Sequence, residues 1–161
     1  MSALGDERAS AAVTTVILLP LLLLVLAGVL QLGALRVAAA RVRAAADLAT
    51  LVAVNDQDDP ELARTGTLRL AGDAADVARE YFARELEFSA PLLAATPSEI
   101  AAAADIAAFP SAPAVDARTG ARYDRPAVRL AADVPLRTPV FGALAFRAVT
   151  TVGVLAVSSP R

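Results

Sequence analysis

Residues 9–35 read ASAAVTTVILLPLLLLVLAGVLQLGAL, 27 consecutive positions without a formal charge. As a helix, with a rise of about 1.5 Å per residue, this stretch reaches roughly 40 Å. The hydrocarbon core of a bilayer measures about 30 Å. The stretch therefore predicts a membrane-spanning helix over 10–35, preceded by a short stub over 1–9. Pro20 lies inside it. In water a proline there breaks a helix, whereas in a membrane helix it is tolerated as a kink. Gly28 and Gly33 offer small surfaces where a second helix could approach, or are ordinary membrane-helix composition. The stub carries Asp6, Glu7 and Arg8, and the apolar core is far longer than that of a cleaved secretory signal, so an uncleaved anchor is expected.

The helical pattern continues past the apolar run. RVAAARVRAAADLATLVAV, residues 36–54, contains neither Gly nor Pro and is rich in strong helix formers. Val37, Arg41, Ala45, Leu48 and Val52 follow helical steps, and Arg43 and Asp47 stand four apart as an attractive pair. These features predict an amphipathic stalk over 36–54, ended by NDQDDP. The acidic cluster Asp56, Asp58, Asp59 and Glu61 lacks the turn glycine of a calcium loop and reads as a solvated linker over 55–72.

Residues 73–161 are expected to form one small α+β domain. Asp73 stands as an N-cap before a helix whose Val77, Tyr81, Phe82 and Leu86 share a face, with Glu80 and Arg84 as an ion pair. Thr96-Pro97-Ser98-Glu99 has the form of a capping box opening a second helix. Two short strands flank Arg118-Thr119-Gly120. Val128, Leu130, Ala132 and Val134 alternate on one face of a further strand, and residues 146–157 are β-branched and strand-like. A small antiparallel sheet packed under the Tyr81/Phe82 helix is the economical arrangement.

Composition narrows the function. The 161 residues are 57% hydrophobic, with a formal net charge of −2 and no His or Cys, and every basic residue is Arg. Disulfides, Cys/His zinc sites, thiol nucleophiles and histidine acid–base schemes are excluded, and no nucleophile elbow or phosphate loop is present. No catalytic residue, metal or cofactor is therefore expected, and the chain reads as a non-enzyme. No basic patch with interleaved aromatics supports nucleic-acid binding.

Three stretches carry a resemblance. Residues 10–24 with the trailing Gly28, the AAADLATL of residues 44–51, and the valine-rich C-terminal strand together resemble the TadE/TadG family of Flp-type (tight adherence) pilus assembly proteins. The resemblance implies a pilin-like fold and an assembly role, as a minor pseudopilin or a membrane-anchored TadE/TadG-like component of a pilus or related secretion system. It implies membrane lipid and other pilin-like subunits as partners. It also implies a single-pass location in the cell membrane with the C-terminal domain outside the cytoplasm. Pilin-like precursors are cut after a Gly and carry a Glu five residues into the mature chain. Aligned here, the junction falls between Ala9 and Ser10, and Thr14 occupies the Glu position, which favours the uncleaved, TadG-like form. Arg36, Arg41 and Arg43 follow the span, and on the positive-inside tendency alone they would place the domain in the cytoplasm. A generic single-pass anchor for a partner-binding domain is the alternative.

Overall fold

The computed structural model describes residues 3–144 and 148–160, with side chains in the first helix from residue 13 onward. Helix α1 (Ala3–Val54) runs unbroken through Pro20. It therefore begins ahead of the expected start at Ser10 and ends where the NDQDDP breaker predicts. The fold is α+β: this long apolar helix, several short helices and a C-terminal antiparallel sheet.

The two halves of α1 have opposite fates. From Val13 to Leu32 nearly every large side chain is exposed, including Val16, Ile17, Leu22 and Leu30. From Ala38 onward one face is buried: Ala38, Val42, Ala45, Ala46, Ala49, Ala53 and Val54. The residues noted above for their helical steps do not mark the buried face: Val37, Arg41 and Leu48 are exposed, and of that set only Ala45 is buried. The buried face is rotated by about one residue and is built mainly of alanine. Small side chains let neighbouring backbones approach closely, which a row of Val and Leu would prevent. Residues 38–54 are thus the central helix of the domain, covered by it on one side.

Residues 55–72 hold a short helix, α2 (Asp59–Thr65). The acidic cluster there is partly structural. Asp58 Oδ1 accepts the Glu61 amide at 3.1 Å as N-cap, and Glu61 pairs with Arg64 at 2.7 Å. Gly66 closes the helix in the left-handed conformation (φ 69°), where glycine carries no Cβ penalty. A bridge between Gln57 and Leu70 then returns the chain to the core.

Helix α3 (Ala74–Glu87) packs along α1 through Ala74, Ala78, Phe82 and Leu86. Tyr81 and Val77 sit at the margin of this face, half-buried. Asp73 occupies the N-cap position without a side-chain bond. Glu80 and Arg84 are not an ion pair; the Arg84 guanidinium lies 5.6 Å from the Tyr81 ring centroid, and Arg79 pairs with Asp76. Helix α4 (Pro97–Ala103) begins with the expected capping box between Thr96 and Glu99.

Strands β1 (Asp105–Phe109), β4 (Ala127–Arg137) and β5 (Val149–Ser158) form an antiparallel sheet with β4 in the centre. Strands β2 (Ala114–Val115) and β3 (Arg122–Tyr123) form the small hairpin around Gly120. The last strand starts at Val149; Phe146 and Arg147 lie outside the described residues. Val128, Leu130, Ala132, Val134 and Leu136 all point inward and are buried, as the alternation predicts. The layer beneath the sheet is chiefly α1 itself: β4 and β5 lie on it, while α3 lies beside it and reaches β1 and β4. Two polar ties fix this alignment. Thr50 Oγ1 and Ser158 Oγ are 2.9 Å apart, and Gln31 Oε1 accepts the Val140 amide at 3.1 Å. A five-residue helix, α5 (Pro139–Ala143), fills the β4–β5 connection.

Candidate functional site

The largest chemically distinctive surface is the bare half of α1. Its N-terminal part is long and apolar enough to cross a membrane, and its most apolar window has no buried share. Val16 is 72% exposed and Leu30 65%. Exposed apolar surface on this scale marks a membrane or protein contact rather than a solvated helix. Among the described residues, no other helix is of this type.

The predicted site residues fall along this helix. Ala9 and Ser10 are within α1, and their side chains lie outside those described. Thr14 is exposed on the helix surface, six residues before Pro20. A Cβ at Gly28 or Gly33 would meet nothing within 4 Å among the described residues. Arg43 and Asp47 are both exposed, and no ion pair joins them. The Asp47 carbonyl instead accepts the Thr50 hydroxyl at 3.0 Å. These positions are distributed along α1 and do not converge on a common centre.

Gln31 was not among the expected functional residues, yet it is the one amide side chain in the apolar run. It is only 7% exposed, because α5 lies against it. Leu23, Leu24 and Ala27 of α1 face Pro139, Val140, Ala143 and Leu144 across a shallow apolar groove. The signal was in the sequence: a lone glutamine among leucines needs a partner, since a buried polar group without one is costly.

A second feature lies on the outer face of the sheet. Arg129 occupies an outward position on β4, yet is only 3% exposed, because the β2–β3 hairpin folds over it. Its Nη1 donates to Asp105 Oδ2 at 2.9 Å, and its Nε lies 2.9 Å from Asp116 Oδ2. The Nε contact is misaligned for a hydrogen bond and is therefore a Coulombic pair. Arg118 also donates to Asp105. Asp116 organises the hairpin: it accepts the Arg118 amide at 2.9 Å and the Thr119 hydroxyl at 2.7 Å. Hydrogen bonds from Arg129 and then Arg118 hold the Asp105 carboxyl below its ordinary range. The Thr119 hydroxyl lowers Asp116 in the same direction, against the opposing effect of burial. These charges satisfy one another, which is the mark of a structural network.

Beside the network a cleft of about 550 Å³ is lined by Ile100, Asp105, Arg118, Asp133 and Leu155. Its arginine and Asp105 are already paired. No cluster of His, Cys, Asp and Glu able to hold a metal occurs among the described residues. The chain matches no family model, no curated protein and no solved structure in the comparisons made.

Proposed function

We propose that the protein is a single-pass, membrane-anchored structural component, acting through the bare half of α1, in the manner of a TadE/TadG-like element of a Flp-type pilus or related secretion apparatus. One observation carries this reading. A single uninterrupted helix is bare and apolar over its first half and is the core of a folded domain over its second. Apart from the α5 contact at Gln31, the bare half has no cover among the described residues, so lipid or other apolar helices are left to supply it. The pilus assignment rests further on the pilin-like order of elements and on the three stretches that resemble the family. The role in this proposal is structural, and the paired charges of the outer polar network are assigned to holding the hairpin on the sheet.

The domain lies outside the cytoplasm in this proposal. Arg36, Arg41 and Arg43 then stand at the headgroup level beyond the span. Protease added to intact spheroplasts should digest the domain, and protection there would place it on the cytoplasmic side.

The assembly role is tested by purifying the full chain from membranes in mild detergent. Resistance to carbonate extraction and recovery with a secretion ATPase, a prepilin peptidase or short Flp-type subunits are expected. An extraction-resistant protein recovered alone would favour the generic anchor. The N-terminal mass addresses processing: an uncleaved start agrees with Ala9 and Thr14, whereas a start at Ser10 would indicate a processed pilin.

A further inference from the structure

We propose that α5 and its flanks, residues 138–144, form a second membrane-contacting element that enters the near leaflet beside α1. This rests on the reading that α1 crosses a bilayer. The argument is geometric. A span needs about 20 residues, and every window of that length within residues 9–35 contains Leu23, Leu24 and Ala27. Those are the residues that α5 faces across the shallow groove, beside its tie to Gln31. Depending on the window, Leu23 lies roughly 7–18 Å below the hydrocarbon edge, at about 1.5 Å per residue. A segment held at the level of Leu23 and Leu24 across a shallow groove therefore cannot remain in bulk water while α1 spans.

The chemistry of the segment suits that depth. Residues 138–144, TPVFGAL, carry no charge, and Arg137 precedes them where a cation can meet lipid headgroups. Pro139, Ala143 and Leu144, which line the groove facing α1, are exposed, so the apolar side of the segment is uncovered. Backbone groups need internal partners in hydrocarbon, and four N–H groups of this segment have them. Thr138 N–H donates to the Ala148 carbonyl at 2.8 Å and Gly142 N–H to Thr138 at 2.8 Å. Leu144 N–H donates to Val140 and Phe141, at 3.3 and 3.2 Å. Pro139 has no N–H, and Val140 N–H is taken by Gln31. That bond removes an amide and a buried glutamine oxygen from lipid together. The sheet carries the segment to this level, because β5 runs along α1 from the α5 end to the Ser158–Thr50 tie.

The absence of cysteine allows a direct test. Single substitutions Leu144→Cys, Ala143→Cys, Leu22→Cys and Val157→Cys in the full chain are labelled with an environment-sensitive fluorophore. The proteins are reconstituted into phosphatidylcholine–phosphatidylglycerol vesicles. Doxyl-labelled lipids should quench the Leu144 and Ala143 probes to an extent comparable with Leu22, and aqueous iodide should quench only Val157. If Leu22 is quenched by lipid while both α5 probes respond to iodide, the span stands and the α5 proposal is overturned. If Leu22 also responds to iodide, the spanning reading and this proposal both fall. Two α5 sites guard against one variant that fails to fold.

Discussion

Arg129 shows how one residue can be misread from its position. On an alternating strand it occupies the polar, outward register, yet the hairpin buries it between Asp105 and Asp116. Removing one partner from a buried pair leaves an uncompensated charge, which costs more than the pair contributes. Arg129→Met should therefore lower thermal stability, and adding Asp116→Asn should restore much of the loss. Additive losses in the double variant would show that the two do not interact. Acid should act on the same residues. Asp105 and Asp116 both have lowered folded-state pKa values, against about 3.9 for an unperturbed Asp. Their contribution is complete above that unfolded value and is lost as pH falls through the lower folded one. Thermal melts should be level from neutrality to mildly acidic pH and fall below about pH 4. Asp105→Asn should shallow that acid limb; an unchanged limb would show that other carboxylates set it.

At the scale of elements, the alanine face of α1 decides how closely the sheet and α3 approach. Ala46 and Ala49 are fully buried, so Ala49→Leu forces extra volume between packed backbones and should destabilise by about 1–3 kcal/mol. Phe82→Ala empties the largest buried side chain of α3 and should cost about 3–5 kcal/mol. Both are readable by thermal unfolding in detergent, monitored by circular dichroism. The same face explains why the second half of α1 was only partly legible in sequence. Helix content was plain from composition, but alanine gives little periodic contrast, so the larger Val37, Arg41 and Leu48 suggested a face one residue away. The inward face of strand β4 was legible, because Val128, Leu130, Ala132 and Val134 alternate, whereas the burial of Ala127 and Arg129 on its other face was not. The Thr96–Glu99 capping box and the Gly120 hairpin were legible for the same reason: each has local chemistry that specifies one geometry. Helix α5 was not, since five residues beginning at Pro139 carry no period of their own and are held by Gln31, more than a hundred positions earlier in the chain.

At the scale of the whole molecule, the domain is inseparable from residues 38–54, which belong to its core. A chain beginning at Arg36 should fold and show the sheet's circular dichroism, whereas one beginning at Asn55 should lack cooperative unfolding. A folded chain from Asn55 would mean that α1 merely lies on a finished domain. Sharing one helix between anchor and core has a mechanical consequence. No break interrupts the helix between the bare and the buried halves, so the domain has no hinge at that junction on which to swivel. A tug on the bare end is delivered as shear along the alanine face, resisted by the sheet, by α3 and by the ties at Gln31 and Thr50 together. Such a part transmits position and load as a rigid pin does, and a neighbour that grips one end senses the other.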